Sequence, residues 1–201
     1  MNRFLRLALA PLVVALALGF TSAAYAGEAQ SYLQGKQTEL TAALRMPKND
    51  PARTPKLETL LDGMFDYDKL ASDTIPSTAP EATAEQLSQF RTLLKKLVRN
   101  AYQKNIEKTL EYEVTWVNDS GGTDHAVVET KASPKRRGQG QEEVSIKYKM
   151  SKKNGVWMIT DVVTEEASLV NGYKNQFGRA LKNGGWDNLI NKLKTRAAKG
   201  R

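Results

Sequence analysis

The acidic residues that follow one apolar stretch are the strongest candidates for chemistry in this sequence. Asp161, Glu165 and Glu166 could include a general acid and a general base, because carboxyl groups in a cleft can exchange protons with a substrate. However, Glu165 and Glu166 stand where a strand turns into a helix, and carboxylates there stabilise the positive end of the helix dipole. Asp161 alternates with Ile159 and Val163, which predicts that it points inward and needs hydrogen-bond donors. We favour this structural role.

Other kinds of catalytic or metal site are difficult to build from these side chains. The chain has one histidine, His125, no cysteine and no G-x-S-x-G turn. His125 precedes a predicted strand without a paired acid and nucleophile, so we expect an exposed residue at a strand end. Asp66 and Asp68 could hold a hard cation weakly, but an Asp at the start of a helix is more often an N-cap. We therefore expect neither a cofactor nor a metal.

The N-terminus predicts export. Residues 1–26 begin with Arg3 and Arg6, continue with an apolar run and end with Ala24 and Ala26, as in a secretory signal peptide with an A-x-A cleavage site. The run is short for the roughly 20 residues that span a membrane. Cleavage after Ala26 would leave residues 27–201 as a single domain with a formal charge of +6 (28 basic minus 22 acidic residues) instead of +8. Without cysteine, the chain has neither a disulfide nor a cysteine-linked lipid.

A basic run is the sharpest local charge feature. The segment KASPKRRGQGQ carries Lys131, Lys135, Arg136 and Arg137. A solvated loop between strands is the usual role of such a run. The alternative is contact with acidic headgroups or with an acidic protein face. We expect no nucleic acid as a partner, because the chain is predicted to leave the cytoplasm.

Apolar residues at three- and four-residue spacing predict helices at both ends of the chain. GEAQSYLQGKQTELTAALR predicts a first helix, and LETLLDGMFDYDKLAS predicts one or two short ones. Thr83 and Gln86 form a capping-box pattern, which predicts the start of a long central helix. Two more helices close the chain and are separated by Asn183-Gly184-Gly185.

Between these helical parts the period changes to two, which predicts strands. Tyr112, Val114 and Trp116 alternate with polar residues. Three further runs show such a strand pattern: HAVVETKAS, EEVSIKYKM and VWMITDVVT. The Asn154-Gly155 pair favours a type I′ hairpin. Consecutive strands with tight turns pair antiparallel, so we predict an α+β fold with a meander of four to five strands and helices packed on one face.

The apolar surface of these elements allows two interpretations. A concave sheet face and at least three apolar helix stripes could pack together as an ordinary core. Alternatively, they could enclose a cavity, which is the default kind of binding site when polar catalytic groups are missing. The residues alone favour neither interpretation.

The strand-to-helix segment near the C-terminus follows a pattern that identifies a family. The pattern is W-x-(apolar)-x-D-(apolar)-(apolar)-x-E-x-x-S-(apolar)-(apolar), matched here by Trp157, Ile159, Asp161, Val162, Val163, Glu165, Ser168, Leu169 and Val170. Tyr173, Phe177 and Gly185-Trp186 extend it, and LDGMFDYDKLAS and TAEQLSQFRTLLKKLVRNAYQKNIEK agree. The chain thus resembles the MlaC family of periplasmic phospholipid-binding proteins, or toluene-tolerance auxiliary transport proteins, from about residue 54 onward. The family usually has glycine where this chain has Glu166, so we expect a different turn there.

The resemblance implies a periplasmic carrier whose helices and sheet enclose an apolar cavity for the acyl chains of phospholipid. Its partners would be an inner-membrane ABC transporter with an MCE-domain subunit and an outer-membrane lipoprotein complex, and it would maintain outer-membrane lipid asymmetry. We expect a monomer, no cofactor apart from the transported phospholipid, and a site that ignores the headgroup. The expected lipid-binding residues are Phe90, Leu94, Val98, Val114, Ile146, Tyr148, Ile159, Val163, Leu169, Tyr173 and Phe177.

Two other classes of function are compatible with the residues. One is a small-ligand enzyme on a helix-covered sheet, with Asp161 or Glu165 as a proton shuttle; it requires a buried carboxylate that faces the cavity. The other is a ligand-free periplasmic adaptor, in which the apolar stripes form only a core.

Overall fold

The computed structural model describes residues 22–136 and 142–199. Within these ranges the helices are α1 (Ser22–Leu44), α2 (Arg53–Met64), α3 (Tyr67–Thr74), α4 (Ala84–Ile106), α5 (Leu169–Lys182) and α6 (Gly185–Lys199). The strands are β1 (Tyr112–Gly121), β2 (His125–Pro134), β3 (Val144–Lys153), β4 (Val156–Thr164) and β5 (Ala167–Ser168). A 3-10 turn, Glu107–Glu111, joins α4 to β1. The predicted α+β class is confirmed.

Two predictions fall at least partly outside the described residues. Residues 1–21 of the predicted signal peptide are among them, so the signal peptide and its cleavage after Ala26 stay predictions. Residues 137–141 of the basic run also lie outside, whereas Lys131 and Lys135 belong to described parts of the chain. No helix in the described ranges is long and apolar enough to cross a membrane.

Side-chain caps start two of the helices where the sequence predicts them. At the start of α4, Thr83 Oγ1 accepts a hydrogen bond from the Gln86 N–H, and Gln86 Oε1 accepts one from the Thr83 N–H, both at 3.1 Å. At the start of α3, Asp66 Oδ1 accepts from the Lys69 N–H at 3.0 Å. The capping alternative for Asp66 is therefore confirmed, and Lys153 bonds the same carboxylate at 3.2 Å.

The five strands form one antiparallel sheet in the order β1-β2-β3-β4-β5, so each strand pairs with its neighbour in sequence. Asn154 and Gly155 connect β3 to β4 with φ of 52° and 79°, as a type I′ hairpin requires. Residues paired across strands share a face, so Tyr148 and its partner Val162 lie on the same side of the sheet. This inner face contacts the helices.

A β-bulge in β4 changes the orientation of the second half of that strand. Thr160 is an extra residue between Ile159 and Asp161, which pairs with Lys149. Simple alternation would place Ile159, Asp161 and Val163 on one face. Because the bulge shifts the two-residue period by one, Ile159 faces inward while Asp161 and Val163 lie on the outer face. The prediction that Asp161 points inward is wrong for this reason, whereas its predicted need for hydrogen-bond donors is confirmed, because the carboxylate is buried and accepts from Ser168 and Val170.

The turn between β4 and β5 consists of two glutamates in the left-handed region of φ. Glu165 has φ 47° and Glu166 has φ 64°. Glu165 is held by Ser145, whose carbonyl oxygen accepts from the Glu165 N–H at 3.1 Å and whose N–H donates to Glu165 Oε1 at 2.6 Å. Glu166 is exposed and makes an ion pair with Lys147 at 3.8 Å, which contributes little to stability.

Replacing Glu166 with glycine is expected to stabilise the protein by about 1 kcal/mol, because glycine adopts positive φ without the cost that a Cβ imposes. Urea unfolding of the two proteins measures the difference. Glu165→Gly is the matched control: it relieves the same conformation but loses the carboxylate bond to Ser145, so its gain should be smaller. A loss of stability in Glu166→Gly would contradict the proposed strain.

The main helical core lies where α4, α5 and α6 meet. The Phe90 ring is fully buried and makes edge-to-face contacts with Phe177 and Trp186, at centroid distances of 5.4 and 5.6 Å. Leu94 and Val98 continue this buried stripe along α4. On the other side, α1 packs on α2, β1 and β2, while α2, α3 and α5 contact β4. The space between these two groups of helices and the sheet contains the candidate site.

Candidate functional site

A mainly apolar cavity of about 170 Å³ lies between the inner face of the sheet and helices α1, α2 and α4. We call it the inner cavity. The strand residues that line it are Val114, Trp116, Thr130, Tyr148 and Ile159. The others, from the helices and their ends, are Leu33, Gln37, Leu40, Thr41, Leu61, Met64, Phe65, Tyr102, Ile106 and Thr109. Nine of the fifteen side chains are apolar and none of the fifteen is a charged residue type, as expected of a site for apolar ligands.

The break between α2 and α3 brings an aromatic side chain to the inner cavity. Phe65 is extended (φ −106°, ψ 137°) and forms a single parallel bridge with Ile159 of β4. The Asp66 N–H donates to the Ile159 carbonyl oxygen at 3.0 Å, which fixes this segment to the sheet. The Phe65 ring then lies 4.9 Å from the Tyr102 ring, centroid to centroid. Tyr102 thereby forms part of the wall of the inner cavity.

The electrostatic environment of the tyrosines is that of an apolar interior. Burial raises the pKa of the Tyr102 phenol far above its ordinary value, with smaller contributions from neighbouring groups including Tyr148 and Asp161. Burial also raises the pKa of Tyr148, against the effect of a hydrogen bond with Thr130. Both phenols are therefore neutral at physiological pH. A ligand in the inner cavity therefore meets no charge on either tyrosine.

A second recess runs along the first half of α5 on the protein surface. Its volume is about 350 Å³, and we call it the α5 groove. It is lined by Tyr102, Val162, Thr164, Ala167, Ser168, Leu169, Gly172, Tyr173 and Gln176. Tyr102 lines both recesses, so this one side chain stands between the inner cavity and the α5 groove.

The structure divides the eleven predicted lipid-binding residues into several places. Val114, Tyr148 and Ile159 line the inner cavity. Leu169 and Tyr173 line the α5 groove. The stripe of Phe90, Leu94, Val98 and Phe177 is buried among the helices, and none of the four lines either recess.

Two of the predicted residues stand apart from both recesses. Ile146 is half-buried against the core near Tyr148, but it does not line the inner cavity. Val163 is 8% exposed and pairs with Lys147 on the outer face, so it points away from Ile159. The bulge at Thr160 is the physical reason, and the assignment of Val163 to the cavity wall is corrected accordingly.

Sequence reasoning missed the contribution of α1 and of the aromatic residues around it. Leu33 and Leu40 lie two helical turns apart, so their spacing predicts a helix but does not predict that they line a cavity. The periodicity places Trp116 on a strand and Tyr102 on a helix, but it does not show that both side chains reach a cavity. Helical spacing identifies which residues share a face, but it does not reveal whether that face meets another surface or a void.

Asp161 is engaged as a structural group. Its carboxylate is 5% exposed, and Oδ2 accepts from Lys149 Nζ at 3.0 Å and from Ser168 Oγ at 2.8 Å. Oδ1 accepts from the Val170 N–H at 3.1 Å, in the first turn of α5. Asp161 therefore fixes the start of α5 to the outer face of β4. The enzyme alternative needs a carboxylate that faces the cavity, and neither Asp161 nor Glu165 does so.

Replacing Asp161 with alanine is expected to lower the free energy of unfolding by about 3 kcal/mol, because it leaves the buried Val170 N–H and the Ser168 hydroxyl without their acceptor. Urea unfolding measures the loss. Glu142→Ala, which removes an exposed carboxylate, should stay within about 0.5 kcal/mol of the unmodified protein. Unchanged stability in Asp161→Ala would show that these three bonds do not hold α5 in place.

Similarity to known proteins identifies the family. The family model described as MlaC protein matches residues 34–195, which is most of the chain. The chain belongs to the MlaC family. No curated protein matches it significantly.

Among solved structures, seven chains match this MlaC-family protein. One is a phospholipid-binding protein from Ralstonia solanacearum, whose structure was determined in complex with a phospholipid. It is 22% identical, the match covers 86% of this chain and 98% of the other, and the TM-score is 0.68. At this identity the likeness shows the fold. The MlaC match also begins inside α1, earlier than the resemblance from about residue 54 suggested, and so includes Leu40 and Thr41 of the inner cavity.

Proposed function

We propose that this protein is a periplasmic phospholipid carrier that holds acyl chains in the inner cavity. On this proposal it shuttles phospholipid between an inner-membrane ABC transporter with an MCE-domain subunit and an outer-membrane lipoprotein complex, and so maintains outer-membrane lipid asymmetry. Membership of the MlaC family and the fold shared with a phospholipid-binding protein support it. Val114, Tyr148 and Ile159 are the proposed acyl-chain contacts among the predicted residues.

The observation that carries the proposal is the apolar lining of the inner cavity. Acyl chains gain roughly 0.8 kcal/mol per CH₂ when they leave water, so two chains of about 16 carbons gain on the order of 25 kcal/mol. A bilayer offers nearly the same gain. Exchange between carrier and membrane complex is therefore close to neutral, and the direction of transport comes from the partners.

The inner cavity must widen to take a lipid. Its volume of about 170 Å³ is below the roughly 300–1,000 Å³ of a typical ligand pocket. Helix α1 forms one wall, and among its polar attachments to the sheet are the Gln30 N–H bond to Asp119 Oδ2 (3.0 Å) and the Lys152–Glu28 ion pair (2.7 Å). Both lie near the start of α1, whereas Leu40 and Thr41 line the cavity near its end. Because Ala43 and Leu44 at the end of α1 are buried where α1 packs on α2, we propose that the two helices shift together when lipid enters.

Native mass spectrometry tests the carrier function directly. The protein is purified from a periplasmic fraction, its mass is measured under native conditions, and bound molecules are extracted and identified. We expect a stoichiometric phospholipid adduct. A bare mass that persists after incubation with phospholipid vesicles would contradict the carrier function and favour the ligand-free adaptor.

A further inference from the structure

Two surface recesses lie next to one another along α5, and one of them shares a lining residue with the inner cavity. The α5 groove shares Gln176 with a third recess of about 270 Å³, which lies between α5 and α6 and has Arg179, Lys192 and Arg196 on its walls. We call this third recess the α5–α6 cleft. Tyr102 is a wall of both the inner cavity and the α5 groove, so the three recesses are neighbours, with the apolar cavity at one side and the basic cleft at the other.

The C-terminal part of the sequence, which includes α5 and α6, carries most of the protein's net positive charge. Residues 169–201 contain eight basic residues and one acidic residue, a net +7, whereas residues 27–168 contain 20 basic and 21 acidic residues, a net −1. Within the described ranges, six exposed cations of α5 and α6 form no salt bridge: Lys174, Arg179, Lys182, Lys192, Lys194 and Arg196. Their field favours an anion at this surface.

Arg196 stands at the point where the α5 groove and the α5–α6 cleft meet. Its Nη1 donates to Gln176 Oε1 at 2.6 Å, and Gln176 lines both recesses. The Arg196 charge also partly offsets the rise that burial causes in the pKa of Tyr173, which lines the α5 groove. A guanidinium presents several N–H donors in a plane, a geometry that matches two oxygens of a phosphate.

We propose that the phosphate of a bound phospholipid lies against Arg196, with the ester region along the α5 groove and the acyl chains beyond Tyr102. This inference rests on the proposed carrier function. The groove runs along α5 from Leu169 to Gln176, a rise of about 10 Å at 1.5 Å per residue. The site thus recognises the phosphodiester that phospholipids share, while the alcohol beyond the phosphate lies outside it.

Comparison of two lipids that differ only in the phosphate-containing headgroup tests this assignment. Delipidated protein is titrated with dioleoylphosphatidylglycerol and with dioleoylglycerol, and the bound fraction is measured by native mass spectrometry. We expect the unmodified protein to prefer the phospholipid by about 10- to 100-fold, the range for one hydrogen bond to a charged group. Arg196→Gln should remove most of this preference while dioleoylglycerol binds as before.

Lys194→Gln is the matched control, because Lys194 lies on α6 but lines a separate recess near Thr83 and Asp187. It should keep the preference for the phospholipid. Equal binding of the two lipids by the unmodified protein would overturn the phosphate site, as would an equal loss of both lipids in Arg196→Gln. Binding of neither lipid would instead contradict the carrier function itself.

A competition experiment with a soluble phosphate ester tests whether the anion bound at Arg196 is the headgroup of a lipid or a free phosphate compound. Excess glycerol 3-phosphate should leave bound dioleoylphosphatidylglycerol in place, because the acyl chains supply most of the affinity. Displacement of the lipid at comparable concentrations would overturn the assignment and would identify a site for soluble phosphate esters.

Discussion

Val114→Glu is expected to reduce the amount of phospholipid bound to the purified protein by about 100-fold or more. Val114 lies on the edge strand β1 and its side chain lines the inner cavity. A carboxylate there would have to lie among acyl chains without a partner, and a cost of about 3 kcal/mol already corresponds to a 100-fold loss. Native mass spectrometry and extraction of lipid from the variant measure the effect.

The control for this prediction is the next residue of the same strand. Thr115 is exposed on the other face, where it pairs with Lys131 of β2, so Thr115→Glu adds the same charge outside the cavity. It should retain the lipid. Val114 is only half-buried, so the fold should survive the substitution, and circular dichroism checks this. Full lipid occupancy in Val114→Glu would show that the acyl chains lie elsewhere.

Phe90→Ala is expected to have the opposite effect to Val114→Glu: it should greatly lower the free energy of unfolding and leave the amount of bound phospholipid almost unchanged. Phe90 is fully buried and contacts the rings of Phe177 and Trp186. Removal of such a side chain typically costs 3–5 kcal/mol, partly because a cavity is left behind. For a domain of this size the expected decrease in melting temperature is about 10 °C. Thermal unfolding measures the decrease, and native mass spectrometry below the transition measures the lipid.

Ser88→Ala provides the comparison for Phe90→Ala, because Ser88 lies on the exposed side of the same helix and should change stability by less than about 0.5 kcal/mol. If Phe90→Ala instead lost its lipid while its stability was unchanged, Phe90 would belong to the lipid site. The pair of predictions thus separates the helical core from the inner cavity, which the sequence grouped in one set of residues.

Local features of the fold were predictable because short-range physics specifies them. The capping bonds between Thr83 and Gln86 depend on residues three positions apart. The positive φ values of Asn154 and Gly155 likewise follow from a two-residue turn. Helical and strand periods depend only on the spacing of apolar residues, so the order of elements and the α+β class followed from the sequence.

The orientation of the side chains around the bulge could not be predicted from the sequence and is visible only in the structure. Residues 157–163 read as a regular strand, and one extra residue at Thr160 is enough to send Asp161 and Val163 to the outer face. Whether a bulge forms depends on how β4 pairs with β3, and the intrinsic preferences of residues 157–163 do not specify that pairing. Because Asp161 lies on the outer face, its carboxylate can accept a hydrogen bond from the Val170 N–H at the start of α5.

By itself, the sequence determined the elements, the meander and the family resemblance. Tertiary structure alone decided which apolar residues form the helical core and which line a cavity. Phe90 and Val114 are both apolar and both belong to regular patterns, yet one is enclosed by aromatic rings and the other faces a void. The physical reason is that packing depends on the distance between elements remote in sequence, whereas periodicity describes only the faces of single elements.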